Sequence, residues 1–187
     1  MGLPRKGDNM TLWVVICVAI AALAFVAITF NELVGERNQV RAAWADIDVQ
    51  LQRRHDLVPQ LAAAVKGYAD HERNTLTAVT ELRAAAQAGG TIAQRAQLEK
   101  NLAEQITRLV ALKESYPELK ASENFLKLQH DLVDIEDHLQ YARRFYNGAV
   151  RLFNTHIENF PALLIAKPFG FREQDFFQAE NTEAVKL

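Results

Sequence analysis

SENFLKLQHDLVDIEDHLQYARRFYNGAVRLFNTHIENF, residues 122–160, decides the fold class. From Phe125 the inward positions run through Leu128, Leu132, Ile135, Leu139, Ala142, Tyr146, Ala149, Phe153, His156 and Phe160. The steps alternate between three and four residues throughout. That is a heptad seam, which keeps one side of a long helix against neighbouring helices. Ser122 stands where a cap belongs, and Asn159-Phe160-Pro161 closes the helix.

Reading back towards the N-terminus, the chain stays helical. Leu33, Val40, Trp44, Ile47, Leu51, Val58, Leu61 and Val65 recur at steps of mostly three, four and seven, one apolar face of a helix. Pro59 lacks an N–H, but the apolar register passes through it, so a kink is expected rather than a reversal. Gly67 offers a stop and Asp70 a new cap. The next helix carries Leu76, Val79 and Leu82 inward, and Gly89-Gly90 ends it. Thr91-Ile92-Ala93-Gln94 has the capping-box form and starts a third helix with Leu98, Leu102, Ile106, Leu109 and Leu112. Tyr116-Pro117 breaks that one.

The expected helices are therefore about 31–66, 71–88, 92–115 and 122–159. The first and last are each about 55 Å long, the middle two about 27 and 36 Å. Short connections favour antiparallel neighbours. The expected fold is all-α, an antiparallel up-and-down four-helix bundle with an extended C-terminal tail. Only the two long helices reach its lower half, which still presents Val40, Trp44, Phe153 and Phe160. Something else must cover them. The aromatic-rich tail, residues 160–187, contains LLIAKPFGF and Phe176-Phe177. It can wrap its own bundle, enter the membrane interface or dock on a second copy.

Upstream of the bundle lies TLWVVICVAIAALAFVAITF, residues 11–30, without a charge. As a helix it spans about 30 Å, the thickness of a bilayer core. A polar segment, residues 1–10, precedes it with Arg5, Lys6, Asp8 and Asn9, and Trp13 lies near one end. Ala22-Leu23-Ala24 resembles a cleavage site, but the apolar run continues to Phe30, so an uncleaved anchor is expected. Leu33 follows without a breaker, so the anchor should continue into the first bundle helix. Counting Lys and Arg leans towards a cytoplasmic N-terminus and leaves the side of the bundle open.

Composition agrees with long helices. The 187 residues include 8 glycines and 5 prolines, about 7% where about 12% is ordinary. A β-sandwich or barrel needs more turn residues than that. A hydrophobic share of 49% argues against disorder, and a net charge of −2 argues against attachment to nucleic acid by bulk charge. The single cysteine, Cys17, lies inside the apolar run and permits no internal disulfide.

Catalytic chemistry finds little footing. No serine occupies a nucleophile elbow and no glycine-rich phosphate loop exists. No histidine follows a glutamate by three residues, so the di-iron bundle motif is absent. His71-Glu72 begins like a zinc-protease motif, but residue 75 is threonine. His130, Asp134 and His138 share a helix face off the seam and read as a solvated polar face. His156, on the seam, reads as a satisfied polar residue. No catalytic, cofactor-binding or metal-ligating residue is assigned. Asp46, Asp48, Arg53 and Arg54 on the first helix and Arg143 and Arg144 on the last are read as charges that pair across the bundle and fix its register. Exposed pairs of that kind are each worth under about 1 kcal/mol.

The segments ERNQVRAAWADIDVQLQRRHDLVPQLAAAVKGYADHE (36–72), YPELKASENFLKLQ (116–129) and ARRFYNGAVRLFN (142–154), with the closing FP, FGF and FF elements, resemble the LemA family of bacterial membrane proteins. The similarity runs from the anchor to about residue 180. FPALLIAK departs from it, with Leu163-Leu164 where relatives more often carry polar or small residues. The resemblance implies an N-terminal anchor and an up-and-down helical bundle. It implies no enzymatic activity and no cofactor. Some relatives in magnetic bacteria are associated with forming internal membrane compartments.

The expected function is a non-enzymatic, single-pass scaffold of the bacterial inner membrane that self-assembles and organises or remodels the bilayer. Membrane lipid and further copies of the chain are its expected partners. Trp44, Tyr146, Phe153, Phe160, Phe169, Phe171, Phe176 and Phe177 are the expected oligomer or membrane contacts. The alternative is a tethered adaptor presenting its bundle to an envelope protease, sensor or other complex.

Overall fold

A computed structural model describes residues 6–69 and 71–177, with side chains from Met10 onward. Asp70, the polar prelude before Met10 and the tail beyond Phe177 lie outside the described side chains. The described secondary structure is entirely helical: α1 (Lys6–Lys66), α2 (Arg73–Gln87), α3 (Ile92–Ala111), a 3₁₀ turn (Leu112–Glu114), α4 (Pro117–Lys120), α5 (Glu123–Glu158) and α6 (Leu163–Ala166).

The apolar segment and the first bundle helix are one element, with Pro59 inside it. Proline removes the N–H that would bond to the carbonyl four residues back, here that of His55. The fold supplies another donor: Arg83 Nε of α2 reaches the His55 oxygen at 2.6 Å. Removing this donor strands a buried carbonyl. Arg83→Ala should therefore cost about 1–3 kcal/mol. Pro59→Ala restores the helical donor and should recover part of that loss. A double-mutant cycle by denaturant unfolding checks the coupling, and strictly additive effects would refute it.

The connections follow local chemistry. Gly89 and Gly90 take φ of 86° and 139°, the left-handed region glycine enters cheaply. Thr91 then caps α3: its hydroxyl accepts from Gln94 N–H at 3.2 Å while the Gln94 side chain accepts from Thr91 N–H at 3.0 Å. Tyr116-Pro117 was expected only to break the chain. Because proline suits the first helical position, the pair also starts the short α4.

By packing, the chain divides into two compact units. One comprises Met1–Val40 and Arg151–Gln174, the other Arg41–Val150 and Asp175–Leu187. Both α1 and α5 contribute residues to each. In the larger unit a single apolar core draws on Leu57, Val58, Leu61 and Val65 of α1, Val79 of α2, Leu102, Ile106 and Leu109 of α3, and Phe125, Leu128, Leu132 and Ile135 of α5. Leu76, Leu82 and Leu112 pack against it half-buried.

In the smaller unit Leu33, Val40, Phe153, Ile157, Ile165, Ala166 and Phe171 are buried. The expectation of a wholly extended tail is corrected here. Residues 163–166 form a helical turn, 167–170 follow as turn, and the described run 171–177 carries no regular structure. Leu-Leu-Ile-Ala has strong helix formers, and burial of Ile165 and Ala166 rewards the turn. Phe160 does not continue the α5 seam: the helix ends at Glu158 and the ring is 80% exposed.

From Leu12 to Ile28 the large apolar side chains of α1 are exposed. An 18-residue window here has a mean hydropathy of 2.8, and none of it is buried in the protein. The helix is long and apolar enough to cross a membrane.

Candidate membrane and assembly surfaces

Arg54 was expected among exposed charges that pair across the bundle, while Glu99 and His55 were not singled out as its partners. Instead the three form a core network. Arg54 and Glu99 are both fully buried, with Arg54 Nη1 donating to Glu99 Oε2 at 3.0 Å. The other Glu99 oxygen meets His55 Nε2 at 2.7 Å. Arg54 Nη2 pairs with Glu136 of α5. Three helices, α1, α3 and α5, are thus tied by one guanidinium, whose planar fork suits two carboxylates at once.

The remaining charges do other work. Arg53 lies 3.5 Å from Asp134 with both side chains about half exposed, and Asp48 pairs with Arg95. Asp46 is exposed on a groove. Among the described residues no ion pair joins Arg143 or Arg144 to an aspartate of α1. The two arginines sit over the rings of Phe177 and Tyr141, at 5.2 and 4.9 Å from the centroids. Burial, aided by the positive charge of Arg54, holds the Arg143 guanidinium below its ordinary value.

Within the same unit the end of the described chain is clasped. Asn147 accepts from Phe177 N–H at 2.9 Å and donates to Phe177 O at 3.2 Å. The buried Phe177 ring meets Trp44 edge-on at 5.5 Å, and Trp44 meets Tyr146 at 5.4 Å. Arg95 covers the Trp44 ring at 5.5 Å. Tyr146 donates its hydroxyl to Asp175 O at 2.8 Å.

Burial, and secondarily the charge of Asp175, pushes the Tyr146 phenol up to about 12. The folded state therefore holds this proton more tightly than the unfolded chain, where the group titrates near 10. Its contribution to stability is whole below about pH 10 and fades as pH rises from about 10 to about 12. Tyr146→Phe should lose about 0.5–1.5 kcal/mol at neutral pH and show a flatter alkaline loss. Unfolding titrations at neutral and alkaline pH would check this, and equal pH slopes would contradict it.

In the smaller unit a second aromatic group forms. Phe171 meets Phe153 at 6.3 Å and Phe30 at 5.7 Å, and Arg37 lies 5.0 Å from the Phe171 centroid. Phe169 meets Phe30 at 5.0 Å. Asn154 brackets the Gln174 backbone with two 2.9 Å bonds. His156 Nδ1 pairs with Glu36 at 2.9 Å, so its seam position is satisfied by a carboxylate.

Tyr146, Phe153, Phe171 and Phe177 were expected to offer an assembly surface. They are buried by their own chain, which leaves them no face to present. Trp44 and Phe176 are half-buried, and Phe160 and Phe169 are exposed. Outside the expected set, α5 exposes Leu126, Val133, Tyr141 and Phe145. With Val49, also exposed, Tyr141 and Phe145 border a groove of about 330 Å³ that Asp46, Gln50, His138 and Ala142 complete. His138 bonds the Asp134 carbonyl of its own helix at 2.7 Å. Among the described residues no group of three or more His, Cys, Asp or Glu is placed to hold a metal.

The model of the LemA family matches residues 43–187. The chain belongs to the LemA family. That match includes Trp44, the Arg54-His55-Glu99 network and the described tail. Among relatives of this LemA-family chain is protein LemA of Metamycoplasma hominis, 26% identical over 84% of this chain and 72% of that protein. The magnetosome protein MamQ 2 of Paramagnetospirillum magneticum is 23% identical over 92% of this chain and 74% of its own length. The magnetosome protein MamQ of Magnetospirillum gryphiswaldense is 23% identical over 93% and 75%.

Proposed function

We propose that this LemA-family chain is a non-enzymatic scaffold, anchored in the bacterial inner membrane by residues 11–30. Its four longer helices form an up-and-down bundle that self-assembles and organises or remodels the bilayer. The observation that carries this reading is the pairing of a charge-free exposed helix with an apolar groove at Val49, Tyr141 and Phe145 in the larger unit. Hydrocarbon accommodates the first, and a second copy accommodates the second. The magnetosome proteins among the relatives point the same way.

Full-length protein extracted with native lipid should run as a discrete multiple of the monomer by mass photometry. Val49→Glu with Phe145→Glu should reduce it to single copies, because a charge placed at an apolar contact is desolvated without a partner. A monodisperse monomer for the unmodified protein overturns self-assembly. One dominant foreign partner in crosslinked membranes would instead favour the adaptor role.

A further inference from the structure

We infer that the segment from Phe160 to Phe169 is a second membrane contact, an interfacial wedge lying against the lipid surface beside the end of the apolar helix. This rests on the reading of α1 as a membrane anchor. Within the smaller unit, Phe169 and Phe171 both touch Phe30, the last residue of the apolar run. Thr29, one residue earlier, is only 5% exposed, in contrast to the exposed residues that precede it. The tail segment thus packs at the level where the span ends.

Its inward residues are accounted for: Ala162, Ile165 and Ala166 are buried, as is Phe171 just beyond it. Its outward residues are also apolar. Phe160, Leu164 and Phe169 are 80%, 65% and 56% exposed. A turn at a water-facing surface has no physical need for three such side chains. The cations Lys167 and Arg172 are exposed alongside them. Apolar side chains with flanking cations match the boundary between acyl chains and anionic headgroups. Leu163-Leu164 fits that placement: Leu163 is half-buried and Leu164 faces out.

The test uses nitroxide labels on the full-length protein in vesicles of phosphatidylethanolamine and phosphatidylglycerol. Cys17→Ser removes the native thiol. Single labels are then placed by Leu164→Cys, Phe160→Cys, Ile20→Cys and Leu126→Cys, all at exposed positions that tolerate a probe. Accessibility to oxygen is compared with accessibility to a water-soluble nickel complex. Labels at 160 and 164 should favour oxygen several-fold over the label at 126, approaching that at 20. If 20 is lipid-immersed while 160 and 164 match 126, the wedge is refuted and the anchor stands. If 20 also matches 126, the anchor itself fails. Spin–spin broadening at 164 that disappears on dilution with unlabelled protein would assign this face to a second copy and overturn the wedge.

Discussion

Arg54→Ala should destabilise the protein by about 3–5 kcal/mol, the range for breaking a buried ion pair by removing one partner. Arg54 is among the largest fully buried side chains of the described protein, and Glu99 beside it is equally buried. Truncation leaves the Glu99 carboxylate in the core with His55 as its remaining hydrogen-bond partner. It also opens a cavity that the rigid helices cannot collapse to fill. Glu136 suffers less, since its side chain is 36% exposed and water can take over. Typical domains hold about 5–15 kcal/mol in total, so the loss should be obvious. Urea unfolding of the detergent-solubilised full chain, followed by circular dichroism, measures it. Arg54→Met combined with Glu99→Leu should recover most of the loss, because no charge is then stranded. A single-variant loss below about 1 kcal/mol would mean that the network does not carry the core.

Phe177→Ala should cost about 3–5 kcal/mol within the larger unit. The ring is 1% exposed and fills the space between Trp44 and Arg143. Its loss also weakens the case for holding the backbone on Asn147, so the clasp should open rather than merely thin. Trp44 reports this directly. In a Trp13→Phe background its emission should shift to the red as water replaces the ring. Asn147→Ala should produce the same shift at a smaller energetic cost, because it strips two hydrogen bonds and leaves the ring in place. An unchanged emission in both variants would show that the tail does not shield Trp44.

The buried network was partly written in the spacing. The apolar face of α1 skips from Leu51 to Val58 and from Leu33 to Val40, two steps of seven in a pattern of threes and fours. Arg54 occupies the first gap and Glu36 the second, and both face a partner in the fold. In α3, Glu99 lies three residues before Leu102 and seven before Ile106, on the inward side. A charge filling a seam position signals a buried pair. The spacing does not say which charge it meets, because Arg54 and Glu99 are 45 residues apart. Glu36 and His156 are 120 apart.

By itself the sequence determined an all-helical chain. It also determined a charge-free helix continuing without a break into the next one, and the ends of the longer bundle helices to within a few residues, but not the short α4 and α6. These follow from local rules: periodicity, capping, and the behaviour of glycine and proline act over a few residues. Tertiary structure alone decided which aromatics the chain keeps for itself. Phe176 and Phe177 are adjacent and chemically identical, yet only the second is fully buried, because Asn147 grips its backbone. Phe160 and Phe153 share the α5 seam in sequence, yet one is exposed and the other fully buried, because the helix stops at Glu158 and the tail returns through Phe171. Burial is a property of what arrives from elsewhere in the chain, and no local pattern encodes that arrival.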